Sequence, residues 1–400
     1  MTQTTRYDAI VIGAGPAGNT AALALARQGR AVALVERAAF PRRKVCGEFL
    51  SGTSAPVLDA LGVGDAWRER AGPEVHRVAL FAGEAVVDAP MPRGAGYGRA
   101  MGRDVLDDLM LARARAEGVA IHQPWRAVAL ERGEGDGGSV LAIEARDGDA
   151  RRTARLEAPV IVAAHGSWER GALPSHPPRA DPPGALMGFK AHFHGGRLPR
   201  HTMPLLAFPG GYGGMAWADA GRLSISLCIR QDMLERLRAR HGGGAAEAVE
   251  AHVRAHCRGV REALEGAALD GPWLGTGPIR PGIRAAHADD VFRVGNVAGE
   301  CHPVIAEGIS MAVQSGWLLA RALEGRDWAD PAARARAGDA YGAAWRRQFG
   351  GRIRAADLIA RAAMRADRLA PAIVPMLRAA PALLTLGARL SGKERPIGVG

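Results

Sequence analysis

Gly13, Gly15 and Gly18 form Gly-x-Gly-x-x-Gly directly after the apolar run Ala9-Ile10-Val11-Ile12. Glu36 closes a second apolar run, Ala31 to Val35. Strand, glycine turn, helix, strand and terminal acid make the first unit of a dinucleotide-binding fold. Gly13 suits a tight turn, Gly15 the approach of a pyrophosphate, and Gly18 close helix–strand packing. The helix start aims free amides and its positive dipole end at phosphate. Ala17 and Arg37 stand beside these residues and join them as candidate cofactor contacts. Glu36 can bond ribose hydroxyls and repels a 2′-phosphate, which disfavours NADP in this pocket and leaves FAD and NAD.

Two side chains could do bond-making chemistry. Cys46 follows Arg43 and Lys44, cations that would stabilise a thiolate; the alternative is a small apolar filler in a turn. His302 precedes Pro303 in a turn and could give a proton to a substrate or simply bond a backbone carbonyl. Cys46, His302 and Pro303 are therefore the catalytic candidates. Glu307 stands where a helix opens and reads as a cap. Cys46, Cys228, Cys257 and Cys301 lack metal or redox-pair spacing. His252 and His256 lie four apart with no third ligand nearby and read as surface histidines, so no metal site is expected.

The stretch 291–316, VFRVGNVAGECHPVIAEGISMAVQSG, reads as a strand ending at Gly295, a turn through Pro303, and a helix opening near Gly308. It resembles the second FAD motif of the superfamily that includes p-hydroxybenzoate hydroxylase, geranylgeranyl reductases and flavin-dependent halogenases. That resemblance implies ribityl binding at Asn296, where the family carries aspartate, and flavin-facing amides at Gly308, Ile309 and Ser310. Phe40 to Glu48, with Lys44, Cys46 and Gly47, is similar to the stretch after the second strand in the reductases and halogenases. The segment Arg99 to Asp107 is similar to the family's Arg-x-x-Phe/Leu-Asp, which implies an FAD contact at Arg103. Trp125 to Leu130 resembles the strand whose valine touches adenine, which points to Val128. The middle strand Val160 to Ala164 runs into His165-Gly166-Ser167, without the acid of the aromatic hydroxylases. The halogenase tryptophan motif and lysine are missing, which disfavours halogenation.

The expected fold is α/β, with a Rossmann-like FAD-binding domain, a discontinuous β-sheet substrate domain and C-terminal helices. The FAD-binding part is assigned to 1–72, 99–175 and 275–330, the substrate part to 73–98 and 184–274, and the helices to 331–400. Residues 131–138 read as a hairpin turn, 174–183 as a proline-rich linker, and Gly210 to Gly214 as a flexible turn. Leu223 to Ile229 alternates apolar with small polar residues, a strand that could roof the flavin pocket.

Composition narrows the partners. The net charge is +11, but of 52 basic residues only Lys44, Lys190 and Lys393 are lysines, and the arginines are scattered among alanines and glycines. No basic run is interleaved with aromatics, so nucleic acid is not an expected partner. The chain enters its first strand by residue 7 without a leader, so the cytoplasm is the expected compartment. Leu369 to Leu390 is apolar but interrupted by three prolines and two arginines. It is either a cap on the core or a peripheral membrane contact.

FAD is thus the expected cofactor. With no second glycine fingerprint, NAD(P)H would act as a transient reductant. The expected activity is monooxygenation of a lipophilic, phenolic or polyketide-like small molecule. The alternatives are a reductase of isoprenoid double bonds and a flavin-binding protein without catalysis.

Overall fold

The computed structural model describes residues 4–133, 138–148, 150–176, 184–241, 243–394 and 396–399. Most of the expected hairpin turn (134–137) and of the linker (177–183) lies outside these residues. The strands flanking that turn, Arg126–Glu131 and Ser139–Asp147, do pair antiparallel.

A six-stranded sheet carries the glycine turn. Its order is His287–Ala288, Val291–Arg293, Val160–Ala163, Ala9–Ile12, Val32–Val35, Ala120–His122, and only the first pairing is antiparallel. Every residue of Ala9–Ile12, Val32–Val35 and Val160–Ala163 is buried. This is why these segments read as unbroken apolar runs: helices cover one face and a four-stranded sheet the other. The helix Pro16–Arg27 starts on proline, which suits a first turn, and Gly15 caps it without a side-chain bond. Its first-turn amides therefore stay free for an anion. The helices Arg103–Ala116 and Gly308–Leu323 share its core.

The second layer is an eight-stranded sheet running Ala268–Leu269, Leu186–His194, Leu223–Arg230, Gly211–Trp217, Thr202–Phe208, Arg77–Ala82, Ala85–Pro90. Leu274–Ile279, assigned by sequence to the nucleotide side from 275 on, pairs instead with Leu186–His194. The expected turn at Gly210–Gly214 is mostly strand, with a tight reversal at Pro209-Gly210. Helices Gln231–His241, Ala245–His256 and Arg258–Ala263 cover one face of this sheet. There His252 is buried, with Nε2 2.9 Å from the Pro209 carbonyl, so it is a packing residue and not a surface one. The chain ends in three helices, Pro331–Ala363, Ala366–Ala379 and Ala382–Leu390.

Candidate active site

Two cavities that share wall residues lie beside the glycine turn, and a third lies between the eight-stranded sheet and the C-terminal helices. The first, about 300 Å³, surrounds Gly13, Gly15, Glu36, Arg37, Arg42 and Lys44. The second, about 170 Å³, is lined by Gly15, Ala17, Lys44, Cys46, Gly47, Arg103, Asn296, Pro303, Gly308 and Ile309, among others. Gly15, Lys44, Val45, Ala164 and Trp168 line both, so the two form one continuous cleft. The third, about 240 Å³, shares Gly47, Phe49, Ser226, Cys228, Pro303 and Ala306 with the second.

Local geometry explains each glycine. Gly13 has φ +108°, and a Cβ there would stand 2.7 Å from the Ala164 carbonyl oxygen. At Gly18 a Cβ would fall 1.8 Å from the Gly13 oxygen, which is the close helix–turn packing the spacing implied. Glu36 is buried and accepts from the amides of Ala14 and Ala38, both at 2.9 Å, with Arg42 3.7 Å away. Two carboxylate oxygens have about four acceptor sites, so capacity for ribose hydroxyls remains. Trp168 Nε1 is a buried donor without a partner among the described residues, at the junction of the two cavities. A glycine cradle, free helix amides, a buried acid and an unused donor fit a bound dinucleotide.

Cations crowd the cleft. Burial, with Arg103 and Arg42 nearby, lowers the Lys44 pKa to about 8. Arg37 sits 3.6 Å from Glu169. Arg103 opens the helix Arg103–Ala116 and bonds Asp107 through two nitrogens, at 2.7 and 2.6 Å. Cys46 lies in the second cavity, its Sγ accepting from the Glu48 amide at 3.4 Å.

Asn296 lines the second cavity and donates to Glu300 Oε1 at 3.1 Å. Glu300 is buried and lines the same cavity, and burial raises its carboxyl pKa against the pull of Arg284. Sequence reasoning missed this acid, although it lies only four residues after the family's aspartate position. It also missed a buried charge cluster behind the cleft. Lys190 pairs with Glu48 and donates to Ser224 at 2.9 Å, while His192 Nε2 is 2.8 Å from Glu48. Burial opposes ionisation of Glu48, yet Lys190 and His192 hold its carboxyl well below the usual range. The available signal was Lys190 with His192 two residues on, both on one face of a mostly apolar strand.

Three expectations need correction. Val128 does not line the cleft; its neighbour Ala127 does. In the pairing with Ser139–Asp147, Ala127 faces Ile143 and Ala129 faces Ala142, so Val128 is the extra residue of a bulge. His302 does not line these cavities. Its ring is held between the Tyr212 hydroxyl, 3.1 Å from Nδ1, and Asp357, 3.3 Å from Nε2, and burial lowers its pKa. Glu307 makes no capping bond. It is fully buried, 2.8 Å from Lys393 Nζ and 3.2 Å from the Ser51 hydroxyl.

His165, Glu169 and His176 also approach one another. Both His165 nitrogens are already bonded, to the Gly166 carbonyl and the Ser175 hydroxyl, and His176 Nδ1 takes the Leu173 amide. His176 Nε2 has no partner among the described residues, but with both His165 nitrogens engaged the trio offers only Glu169 and His176 as free ligands.

Residues 6–175 match the FAD binding domain family. This segment, under half of the chain, is what the match identifies as an FAD binding domain. Over 123 residues it is 38% identical to the menaquinone reductase of Mycobacterium tuberculosis, a match spanning 31% of this chain and 30% of that protein. It is 25% identical to digeranylgeranylglycerophospholipid reductase 2 of Methanopyrus kandleri, over 78% of this chain and 75% of that one. Among solved structures, the myxobacterial chondrochloren halogenase CndH superposes with a TM-score of 0.77 at 21% identity, covering 98% of this chain and 92% of that chain. PqsL of Pseudomonas aeruginosa, a probable FAD-dependent monooxygenase, gives 0.65 at 20%, covering 92% and 99%. At these identities the structural likeness shows the flavoprotein fold, and it extends over nearly the whole chain.

Proposed function

We propose that this flavoprotein is an FAD-dependent monooxygenase that hydroxylates a lipophilic small molecule. The observation that carries this reading is the third cavity. It is lined mostly by aliphatic side chains, among them Val78, Met203, Leu205, Ile305, Ile359 and Leu384, and it shares Gly47, Phe49, Ser226, Cys228, Pro303 and Ala306 with the second cavity. Such a wall selects an apolar substrate by area and excludes water from the reacting centre. FAD, reduced by NAD(P)H that binds and leaves, supplies the redox chemistry with molecular oxygen as co-substrate.

The chain's own residues have separable tasks. Gly13, Gly15, Gly18 and the helix start receive the diphosphate, Glu36 the ribose, and Asn296 with Glu300 the ribityl side. Arg103 is locked by Asp107 and gives the second cavity a fixed positive wall. Pro303, shared by the second and third cavities, shapes the passage between them. His302 positions Tyr212, which lines the substrate cavity.

A second reading, hydride transfer to a carbon–carbon double bond, is favoured by one feature: the Cys46 thiol faces the flavin end of the cleft, where it could give a proton. Two relatives with reductase names support it. Labelled oxygen separates the readings. Turnover under ¹⁸O₂ should place one labelled atom in the product. Anaerobic turnover giving a product two hydrogens heavier would replace the monooxygenase with the reductase. Failure to oxidise NAD(P)H under any condition would remove both.

A further inference from the structure

The outer surface of the C-terminal helices is unlike the rest of the molecule. Eight large hydrophobic side chains are exposed among the described residues, and five of them, Leu358, Met376, Leu383, Leu386 and Leu390, fall within residues 358–390. Leu383, Leu386 and Leu390 recur at helical spacing and form one stripe along the helix Ala382–Leu390. On the opposite side of that helix Leu384 and Ala388 line the apolar cavity. Leu383 is both exposed and part of the cavity wall, so the stripe begins at the cavity's edge.

Charge accompanies the stripe. Arg361, Arg365, Arg368, Arg378 and Arg389 are all exposed; Arg361 pairs with Asp357 and Arg389 with Glu394, and Asp367 is the only acid in the sequence from 358 to 390. No single helix among the described residues is long and apolar enough to cross a bilayer. The last two helices instead meet at a bend of 107°. Short, bent, apolar on one side and arginine-flanked, they have the chemistry of elements that lie in a membrane interface. Arginines near the apolar edge would meet anionic headgroups.

We propose that the face formed by Ala366–Ala379 and Ala382–Leu390 docks on an anionic lipid bilayer and sets the apolar cavity against it. A lipid-dissolved substrate would then reach the cavity without crossing water. The docking itself does not depend on the reaction class.

The test is flotation of the FAD-loaded protein with vesicles of mixed phosphatidylcholine and phosphatidylglycerol, and with phosphatidylcholine alone. Binding to the mixed vesicles is expected, weakened by high salt and by removal of the anionic lipid. The double variant Leu386→Glu/Leu390→Glu, which touches neither cavity wall, should bind the mixed vesicles at least about tenfold more weakly with FAD content unchanged. Should that variant lose FAD, the wild-type protein gives the answer: mixed vesicles should slow tryptic cleavage at Arg378 and Arg389. No flotation with mixed vesicles overturns the proposal, as does unchanged flotation or unprotected cleavage. Sedimentation showing a dimer that the double variant dissociates would assign the face to a second copy of the chain and also overturn it.

Discussion

The nucleotide cleft and the apolar cavity meet through the same few residues, yet they are built by opposite means. The cleft wall is charged and cation-rich: Arg37, Arg42, Arg43 and Lys44 face two acids, Glu36 and Glu169. Arg43 is held by Asp270 at 3.0 Å, but the other pairs are loose, with Arg37 3.6 Å from Glu169 and Arg42 3.7 Å from Glu36 and 3.6 Å from Asp107. Such a wall is completed by an anion, which a diphosphate would supply. The cavity has one charged residue in its wall, Lys393, and that amine is already spent on Glu307 and the Ile305 carbonyl, each at 2.8 Å. One site therefore recognises by unsatisfied charge, and the other by shape and apolar area, with its charge buried for architecture.

The sharpest way to break the first site without touching the second is Gly18→Val. A Cβ at 1.8 Å from the Gly13 oxygen cannot be accommodated by side-chain motion, because the obstacle is backbone. The helix Pro16–Arg27 must shift, and its amides leave the phosphate position. The variant should purify without FAD and bind added FAD at least about a hundredfold more weakly, equivalent to about 3 kcal/mol. Fluorescence titration measures this. Wild-type affinity would mean the turn does not hold the cofactor.

Breaking the second site needs a different residue. Lys393→Met removes the cation paired with Glu307 and leaves that carboxylate fully buried, with Arg352 at 3.8 Å and the Ser51 hydroxyl as nearest help. Losing one partner of a buried pair costs about 3–5 kcal/mol. Urea unfolding of the FAD-saturated protein should show a loss near the lower end, since Arg352 compensates in part. FAD affinity should change much less than in the glycine variant. Equal losses of both would erase the distinction between the two sites.

The same contrast explains what could be read in the chain before its structure. The glycine turn, its helix and Glu36 are contiguous, so spacing alone encodes their geometry. The alternation of Leu223 to Ile229 announced a strand with a small polar face, and Ser226 and Cys228 on that face line the second and third cavities. The apolar cavity draws on residues near 49, 78, 205, 215, 304 and 384, and no local period records such an assembly. Buried pairs were illegible for the same reason: Glu307 and Lys393 are 86 positions apart, and a helix-opening glutamate looks like a cap until the tail returns to it. Val128 failed through a bulge, which a one-dimensional alternation cannot show. Asn296 stands where the family carries an aspartate, and its carboxylate partner, Glu300, lies four residues further on.

The smallest expected effect sharpens the charge argument at Lys44. Its pKa is lowered from 10.5 to about 8, chiefly by burial and then by Arg103 and Arg42. A lowered amine pKa means the folded, FAD-free protein gives up a proton that the unfolded chain keeps. Stability of the apoprotein should therefore rise with pH between about 8 and 10.5, where the unfolded state binds more protons. FAD affinity should move the other way. An anionic diphosphate favours the ammonium form, so affinity is full below about pH 8 and falls as Lys44 deprotonates, by less than about tenfold since other cations remain. Two opposite slopes from one group are hard to produce by general alkaline damage, which would lower both. Lys44→Met should flatten both slopes while leaving FAD bound. If stability and affinity decline together in the wild type, or if the variant keeps the slopes, Lys44 is not the cation that the cofactor's phosphates neutralise.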